Sequence, residues 1–174
     1  MSAPFGAARH RATIALLVGI GLAAGPLAAL PAQASTDGTG VVINEVYLSG
    51  GSAGAAYQNK FVELYNPGDS AVSLDGWSLQ YRPATSANPA SGVVALNGSI
   101  ASKGYFLVSG GSNGASGAAL PPPDVVGNLN PSGSTGTLFL AQSTTALAPV
   151  PGSVSGAAGI VDLIGYGTSN TFEG

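Results

Sequence analysis

Short apolar or alternating runs, separated by Gly, Pro, Asn, Asp and Ser, fill the chain beyond residue 40. This pattern is typical of β-strands joined by turns, and outside the N-terminal segment no window of about a dozen residues carries a helical stripe. The runs predict seven strands, at residues 41–47, 60–66, 77–81, 93–96, 105–108, 136–141 and 160–166. Seven short strands without helices predict an all-β sandwich or barrel.

Two of the connections carry the residue types of tight turns. The first, at 66–69, reads NPGD, in which Pro presets a negative φ and Gly accepts a positive one. The second places Asp75 and Gly76 directly before a predicted strand, a pair that closes tight turns. We therefore interpret Asn66, Gly68, Asp75 and Gly76 as structural residues.

Two other connections are longer and rich in Gly and Ser, at residues 49–58 and 109–124. Their small side chains bury little, and such segments usually serve as mobile surface spacers. Binding surfaces are also built on loops, so a binding role for 109–124 stays open.

The first 34 residues have the order of a secretory signal. A basic region at 9–11 precedes an apolar run at 14–24, and small residues at 32–34 form a cleavage site. A retained anchor is the alternative, because 12–30 approaches the roughly 20 residues that span a bilayer. The internal Pro and the small-residue ending favour cleavage. We predict a signal peptide at 1–34, a polar lead-in at 35–40, and one domain at 41–174 that is secreted and has no membrane span after cleavage.

Charge and residue types exclude several functions. Two of the five Lys and Arg residues lie in the leader, so three basic residues accompany eight acidic ones in the remainder. This scarcity of cations argues against nucleic-acid binding by this domain alone and against an anionic membrane surface. The sequence has no Cys, and its single His, His10, lies in the leader. The domain therefore has no thiolate, Ser-His pair or His-based zinc site to offer.

Glu45 and Glu63 are acids in predicted strands with apolar neighbours. Strand alternation places Glu45 on the face of Ile43 in the first strand. It places Glu63 on the face of Phe61 in the second strand. If the two strands pair with Glu45 near Glu63, the carboxylates share a face, as a glycosidase requires of its two acids.

The preferred interpretation of both glutamates is structural, with each carboxylate accepting backbone N–H groups from a neighbouring loop. The first alternative is a calcium site, because Asn44, Glu45, Glu63 and Asp162 offer hard oxygen ligands, although their spacing matches no dedicated calcium loop. Glycoside hydrolysis is the third reading. We assign no catalytic residue, and calcium is the one cofactor under consideration.

The aromatic residues raise a similar choice. Trp77 begins a strand after a tight turn, and we predict a core anchor there because a buried Trp is common at the centre of sandwiches. Tyr47, Tyr57, Tyr65 and Tyr81 could form a surface stripe for a glycan or peptide. Their spacing does not by itself place them together.

Four stretches carry a resemblance to a known family. In order, VVINEVYL, KFVELYNPGDSAVSLDGWSLQY, GYFLVSGG and VDLIGYG resemble the successive strands of the lamin-tail domain, in the form found in secreted bacterial proteins. The most specific part is INEV at 43–46, followed by FVELYNPG at 61–68 and LDGW at 74–77. The likeness covers about residues 41–174.

The resemblance implies an immunoglobulin-like β-sandwich of Greek-key type and a module that is not an enzyme. In nuclear lamins the domain makes protein contacts, and in bacteria it commonly accompanies extracellular hydrolases. We expect a secreted module that mediates attachment to a partner protein or to a surface or extracellular polymer. The alternative is the N-terminal accessory part of an extracellular nuclease or phosphatase, of the endonuclease/exonuclease/phosphatase type, whose catalytic domain is absent from this chain.

The resemblance has one departure. Family members usually continue past the equivalent of GYGTSNTFEG into a last strand, whereas this sequence stops at Gly174. We expect either a fragment of a longer protein or a short form without its last edge strand. A missing edge strand would expose unpaired backbone and favour pairing with another chain.

Overall fold

The computed structural model describes residues 38–174. The signal peptide predicted at 1–34 and the first residues of the lead-in lie outside the described residues. Between residues 38 and 174 the chain forms strands, turns and loops but no helix. This part of the chain accordingly contains no helix that is long and apolar enough to cross a membrane.

The strands follow the predicted order. They are β1 (Val42–Tyr47), β2 (Phe61–Tyr65), β3 (Val72–Ser73), β4 (Ser78–Arg82), β5 (Gly92–Ala95), β6 (Ser99–Ile100), β7 (Tyr105–Ser109), β8 (Val125–Val126), β9 (Gly136–Ala141), β10 (Gly152–Ser153), β11 (Ile160–Tyr166) and β12 (Thr171–Phe172). All seven predicted strands are confirmed, as β1, β2, β4, β5, β7, β9 and β11. The other five have two residues each, and so short a strand has no sequence periodicity to detect.

Two four-stranded sheets form a sandwich. The first has the order β1-β2-β7-β8 and the second has the order β11-β9-β4-β5. The chain leaves the first sheet after β2, builds β4 and β5 in the second, and returns to the first at β7. Two small pairs, β3 with β6 and β10 with β12, lie outside these sheets. The all-β sandwich predicted from the sequence is confirmed.

The main core lies between the two sheets. Alternate residues of facing strands fill it, among them Val62 and Leu64 of β2 and Leu138 and Leu140 of β9. A second, smaller cluster is formed by Phe139, Ala141, Val154, Ile160 and Leu163. Because apolar groups cover both faces of β9, all six of its residues are buried. The outer face of the first sheet is covered less completely, since Tyr47 and Tyr57 pack over Phe61 whereas Glu45 and Tyr105 are exposed.

Arg82 is fully buried at the end of β4. Its guanidinium donates to the backbone oxygen of Pro149 at 2.7 Å and of Asn88 at 3.4 Å, and to the hydroxyl of Thr171. No carboxylate within the described residues pairs with it. Its charge is therefore used to tie three chain segments together, and burial lowers the pKa of this side chain.

Asn66 organises the first turn. Its buried side-chain amide donates to the backbone oxygens of Ser70 at 2.8 Å, Ile100 at 3.2 Å and Ala101 at 3.0 Å. Its side-chain oxygen accepts the backbone N–H of Gly68 at 3.0 Å. A Cβ at Gly68 would lie 3.1 Å from that same oxygen, which is a tight approach.

The second turn is held in a similar way. The carboxylate of Asp75 accepts the backbone N–H of Gly98 at 3.1 Å. Gly76 has φ +80, a conformation that side-chain-bearing residues rarely adopt. The backbone N–H of Trp77 donates to the oxygen of Leu74 at 2.9 Å and closes the turn. The indole of Trp77 is partly buried and packs against the edge of the main core, where the sequence predicted an anchor.

The glycine-rich loops at 49–58 and 109–124 are tied to each other. Gln58 donates its backbone N–H to the oxygen of Ala118 at 2.8 Å, within a short bridge between the loops. Gly117 has φ +102, and a Cβ there would clash with the facing backbone. Glycine therefore permits close approach of two backbones. This finding corrects the prediction of loose spacers, although most of the side chains in these loops are exposed.

Replacing Asn66 with Ala should lower the free energy of unfolding by about 2 kcal/mol, because one buried and two partly buried carbonyl groups would lose their donor. Denaturant unfolding of the two proteins measures the difference. Asn66→Asp keeps the acceptor for Gly68 but loses the amide donors, so it should also destabilise the fold. Equal stability of the wild type and Asn66→Ala would contradict the structural assignment.

Candidate functional site

A β-bulge in β1 sets the geometry of the exposed sheet face. Ile43 pairs with Leu64 and Glu45 pairs with Glu63, so Asn44 is the extra residue between two consecutive pairs. Ile43 points into the main core, whereas Glu45 lies on the outer face. The prediction that simple alternation puts Ile43 and Glu45 on one face is therefore wrong, because a bulge adds a residue and shifts the alternation.

Asp162 of β11 supports this bulge from the other sheet. One carboxylate oxygen accepts the backbone N–H of Ile43 at 2.5 Å, and the other accepts the backbone N–H of Leu163 at 2.9 Å. β11 has its own register shift between Ile160 and Asp162. The side chain thus connects the edge strands of the two sheets.

Glu45 and Glu63 are directly opposite each other on neighbouring strands. Glu63 is half-buried and accepts the side-chain amide of Asn44 at 2.7 Å. Glu45 is exposed, and no donor within the described residues reaches its carboxylate. Two like charges placed directly opposite on one sheet face repel each other. This pair therefore costs stability unless something outside the described residues neutralises it.

An aromatic cluster borders the acidic pair on one side. The ring of Tyr47 stacks on Phe61 with centroids 5.4 Å apart, and Tyr57 meets both rings edge-on at 5.9 Å. The hydroxyl of Tyr47 accepts the backbone N–H of Ala56 at 2.8 Å, which holds loop 49–58 against the sheet.

A second aromatic pair borders the glutamates on the other side. Tyr65 and Tyr105 are cross-strand neighbours with ring centroids 4.8 Å apart. Tyr105 is 60 % exposed, which makes it the most exposed aromatic residue among residues 38–174. Leu107 lies beside Glu63 between the two aromatic rows. We call this surface the acidic–aromatic face, defined by Glu45, Tyr47, Tyr57, Phe61, Glu63, Tyr65, Tyr105 and Leu107.

A groove of about 180 Å³, open to solvent, lies beside the acidic pair on this face. Its walls include both glutamates and, from loop 109–124, Leu120 and Pro121. The carboxylate of Asp124, at the end of that loop, accepts the backbone N–H of Leu107 at 2.7 Å. The loop therefore forms one wall of the groove.

Three of the four tyrosines predicted to form a surface stripe lie on one face. Tyr47, Tyr57 and Tyr65 lie on the acidic–aromatic face, whereas Tyr81 belongs to the second sheet and packs against the main core. The sequence reasoning missed Tyr105 and Leu107. Both lie in a correctly predicted strand, and pairing that strand with β2 would have revealed them. Leu120 had no signal, because it lies in a stretch of low sequence complexity.

The four calcium candidates do not come together. Asn44, Glu45 and Glu63 share the acidic–aromatic face, but Asp162 binds the backbone of Ile43 instead. Within residues 38–174 no group of three or more His, Cys, Asp or Glu side chains has the arrangement to hold a metal ion. Neither glutamate accepts a backbone N–H there, so their structural assignment stays a prediction.

The basic side chains of residues 38–174 are all engaged elsewhere. Lys60 is buried and donates to the backbone oxygen of Pro131 at 2.5 Å, Arg82 ties loops at the other sheet, and Lys103 pairs with Asp69 at 3.1 Å. The acidic–aromatic face is therefore negatively charged and has no internal counter-ion in the described structure.

Asp162 and Glu173 form a carboxyl pair, in which both side chains accept the backbone N–H of Leu163. Burial, followed by a hydrogen bond with Asp162, raises the pKa of Glu173 to about 7. One oxygen of Glu173 accepts the backbone N–H of Leu163 at 3.1 Å, and the other is buried without a donor in the described residues. A proton on Glu173 supplies the donor for its hydrogen bond with Asp162.

Two facing, mainly antiparallel sheets with alternating inward residues define an immunoglobulin-like β-sandwich, in which only β7 and β8 pair in parallel within the two sheets. The sequence profile of the Lamin Tail Domain matches residues 34–167, which is more than half of the chain. The chain belongs to the lamin tail domain family, so the family of the resemblance is confirmed, whereas its secreted bacterial form stays a prediction. A search of curated proteins found no match.

Removing one charge from the acidic pair should stabilise the protein. Glu45→Gln is expected to raise the free energy of unfolding by about 0.5 kcal/mol at low salt, because cross-strand repulsion is lost. High salt should reduce this gain. Asp69→Asn makes the same change in net charge but removes an exposed ion pair, so it should not stabilise. A loss of stability in Glu45→Gln would instead support the structural interpretation of this carboxylate.

Stability should also depend on the protonation of Glu173. Its pKa in the folded chain, about 7, lies above the ordinary 4.5, so the folded state keeps a proton that the unfolded state releases. The stabilisation from this group is complete below about pH 4.5 and is lost as the pH rises through about 7. Glu173→Gln cannot ionise and should flatten this part of the profile of melting temperature against pH. An unchanged slope in Glu173→Gln would rule out this assignment.

Proposed function

We propose that this chain is a secreted, non-catalytic attachment module that binds a partner protein or extracellular polymer through its acidic–aromatic face. The observation that carries the proposal is the composition of that face. Tyr105 is exposed beside Tyr65, and the opposed glutamates have no internal counter-ion in the described structure. Exposed aromatic groups with an unneutralised charge are typical of recognition surfaces.

The sandwich supports this role because it makes the face rigid. β2 pairs with β1 on one side and with β7 on the other along all five of its residues. The loops that border the groove are hydrogen-bonded to each other through Gln58 and Ala118. A preorganised surface loses little conformational entropy on binding, so its contacts can contribute to affinity.

Export is the second part of the proposal. It is supported by the basic, apolar and small-residue order of residues 1–34. Expression of the full chain should release a protein that begins at Ser35 into the medium. N-terminal sequencing checks this expectation, and recovery of the intact leader in the membrane fraction would contradict it.

Site-specific photo-crosslinking in producing cells tests attachment. Benzoylphenylalanine in place of Tyr105 puts the crosslinker on the acidic–aromatic face, and the same group in place of Val150 serves as the control. Val150 is 78 % exposed and lies in the connection between β9 and β10, outside that face. We expect one discrete crosslinked product from the first position and none from the second.

The crosslink supports attachment only if it forms at the acidic–aromatic face and not at the control position. A crosslink from the Val150 position of equal yield, or no crosslink from either position, would refute the attachment function. Melting temperatures of both labelled proteins should match that of the wild type, because both replaced side chains are solvent-exposed.

A further inference from the structure

We propose that the acidic–aromatic face binds an extended, basic segment of a partner polypeptide, in which a Lys or Arg is flanked at two-residue spacing by apolar side chains. This inference rests on the proposed attachment function and specifies its ligand. The face is a sheet surface with a solvent-open groove of about 180 Å³, and charge complementarity selects the occupant.

The order of side chains along β2 gives the ligand pattern. Phe61, Glu63 and Tyr65 are separated by two residues each, so their side chains point to the same face about 7 Å apart. Phe61 is itself buried, and the rings of Tyr47 and Tyr57 pack against it, so they form the aromatic group at this end of the face. Along this direction the surface therefore presents an aromatic, an acidic and an aromatic group. An extended peptide has the same two-residue repeat, so the sequence apolar-x-Lys-x-apolar places matching groups over each position.

A cation bound at the centre of the face would offset the repulsion between the two carboxylates. Glu45 and Glu63 repel each other across the strand pair, and the only polar contact of either carboxylate in the described residues is with the amide of Asn44. One ammonium or guanidinium group placed between them would interact with both. Its aliphatic stem would pack on the rings beside them, and the flanking rings favour a cation over their faces.

A second copy of this chain does not fit as the occupant. Lys60 and Arg82 are buried within the domain. Lys103 is exposed, but it has φ 55 and pairs with Asp69, so it is not part of an extended segment. The described part of the chain therefore offers no cation on an extended, exposed strand that a second copy could insert. A separate basic polypeptide remains the ligand that satisfies the charge.

The test is an NMR titration of the protein as recovered from the medium, with the pentapeptide Leu-Ser-Lys-Ser-Leu, capped at both ends, as the probe. Its twin carries Nε-acetyl-lysine and differs only in charge. The lysine peptide should shift backbone amides of β1, β2 and β7 in a saturable way. The acetylated twin should bind at least about tenfold more weakly, because the central charge pair is lost.

Matched variants separate a specific site from net charge. Glu45→Gln and Glu63→Gln should each weaken the lysine peptide at least about tenfold, whereas Asp69→Asn, which makes the same change in net charge, should leave binding unchanged. Equal weakening by Asp69→Asn, or equal affinity for the two peptides, would overturn the proposal. Thermal unfolding of each variant verifies that it is folded.

Two other ligands are outcomes of the same titration. Calcium chloride alone, shifting the same amides with dependence on both glutamates, would overturn the proposal in favour of an ion site. A chitin oligosaccharide that binds this face equally in wild type and Glu63→Gln would overturn it in favour of a glycan. If crosslinking from Tyr105 succeeds while the lysine peptide fails to bind, the attachment function stands and this ligand assignment falls.

Discussion

The hydrogen bond from the backbone of Ile43 to Asp162 is the interaction on which the exposed face depends. It joins the edge strand of one sheet to the edge strand of the other at 2.5 Å. In doing so it holds the bulge at Asn44, which turns Glu45 outward while Ile43 stays in the core. Without the extra residue, the alternation of β1 would put either Ile43 or Glu45 on the wrong face. A buried contact between sheets thus determines the chemistry of the surface.

The two glycine-rich loops are likewise held in place by hydrogen bonds. Glycine and serine reduce side-chain bulk in 49–58 and 109–124, and the two backbones approach closely enough to hydrogen-bond. The hydroxyl of Tyr47 then fixes the first loop, and the carboxylate of Asp124 fixes the end of the second. Low sequence complexity here produces an ordered rim rather than a flexible spacer. The groove keeps its shape because both of its walls are attached to the sheet that forms its floor.

Much of the fold could be predicted from the sequence because its signals are local. Alternation gave the long strands, and NPGD and Asp75-Gly76 gave the turns that bound them. The family match extends over 34–167 and agrees with this reading. The acidic pair was also foreseen, since it needed only two strands in a plausible register. The bulge could not be predicted, because its cause is Asp162, more than a hundred residues away, and neither could Tyr105 or Leu120, whose place depends on strand and loop pairing.

The distribution of charge separates the residues that build the fold from those that face outward. Asp75, Asp124 and Asp162 each accept backbone N–H groups and so hold chain segments in place. Glu45 and Glu63 do not, although they are directly opposite each other on neighbouring strands. The three cations of the described part all contact other groups, since Lys60 and Arg82 donate to backbone oxygens and Lys103 pairs with Asp69. The described part of the fold therefore supplies no cation to the acidic pair, which leaves both carboxylates to solvent or to a ligand.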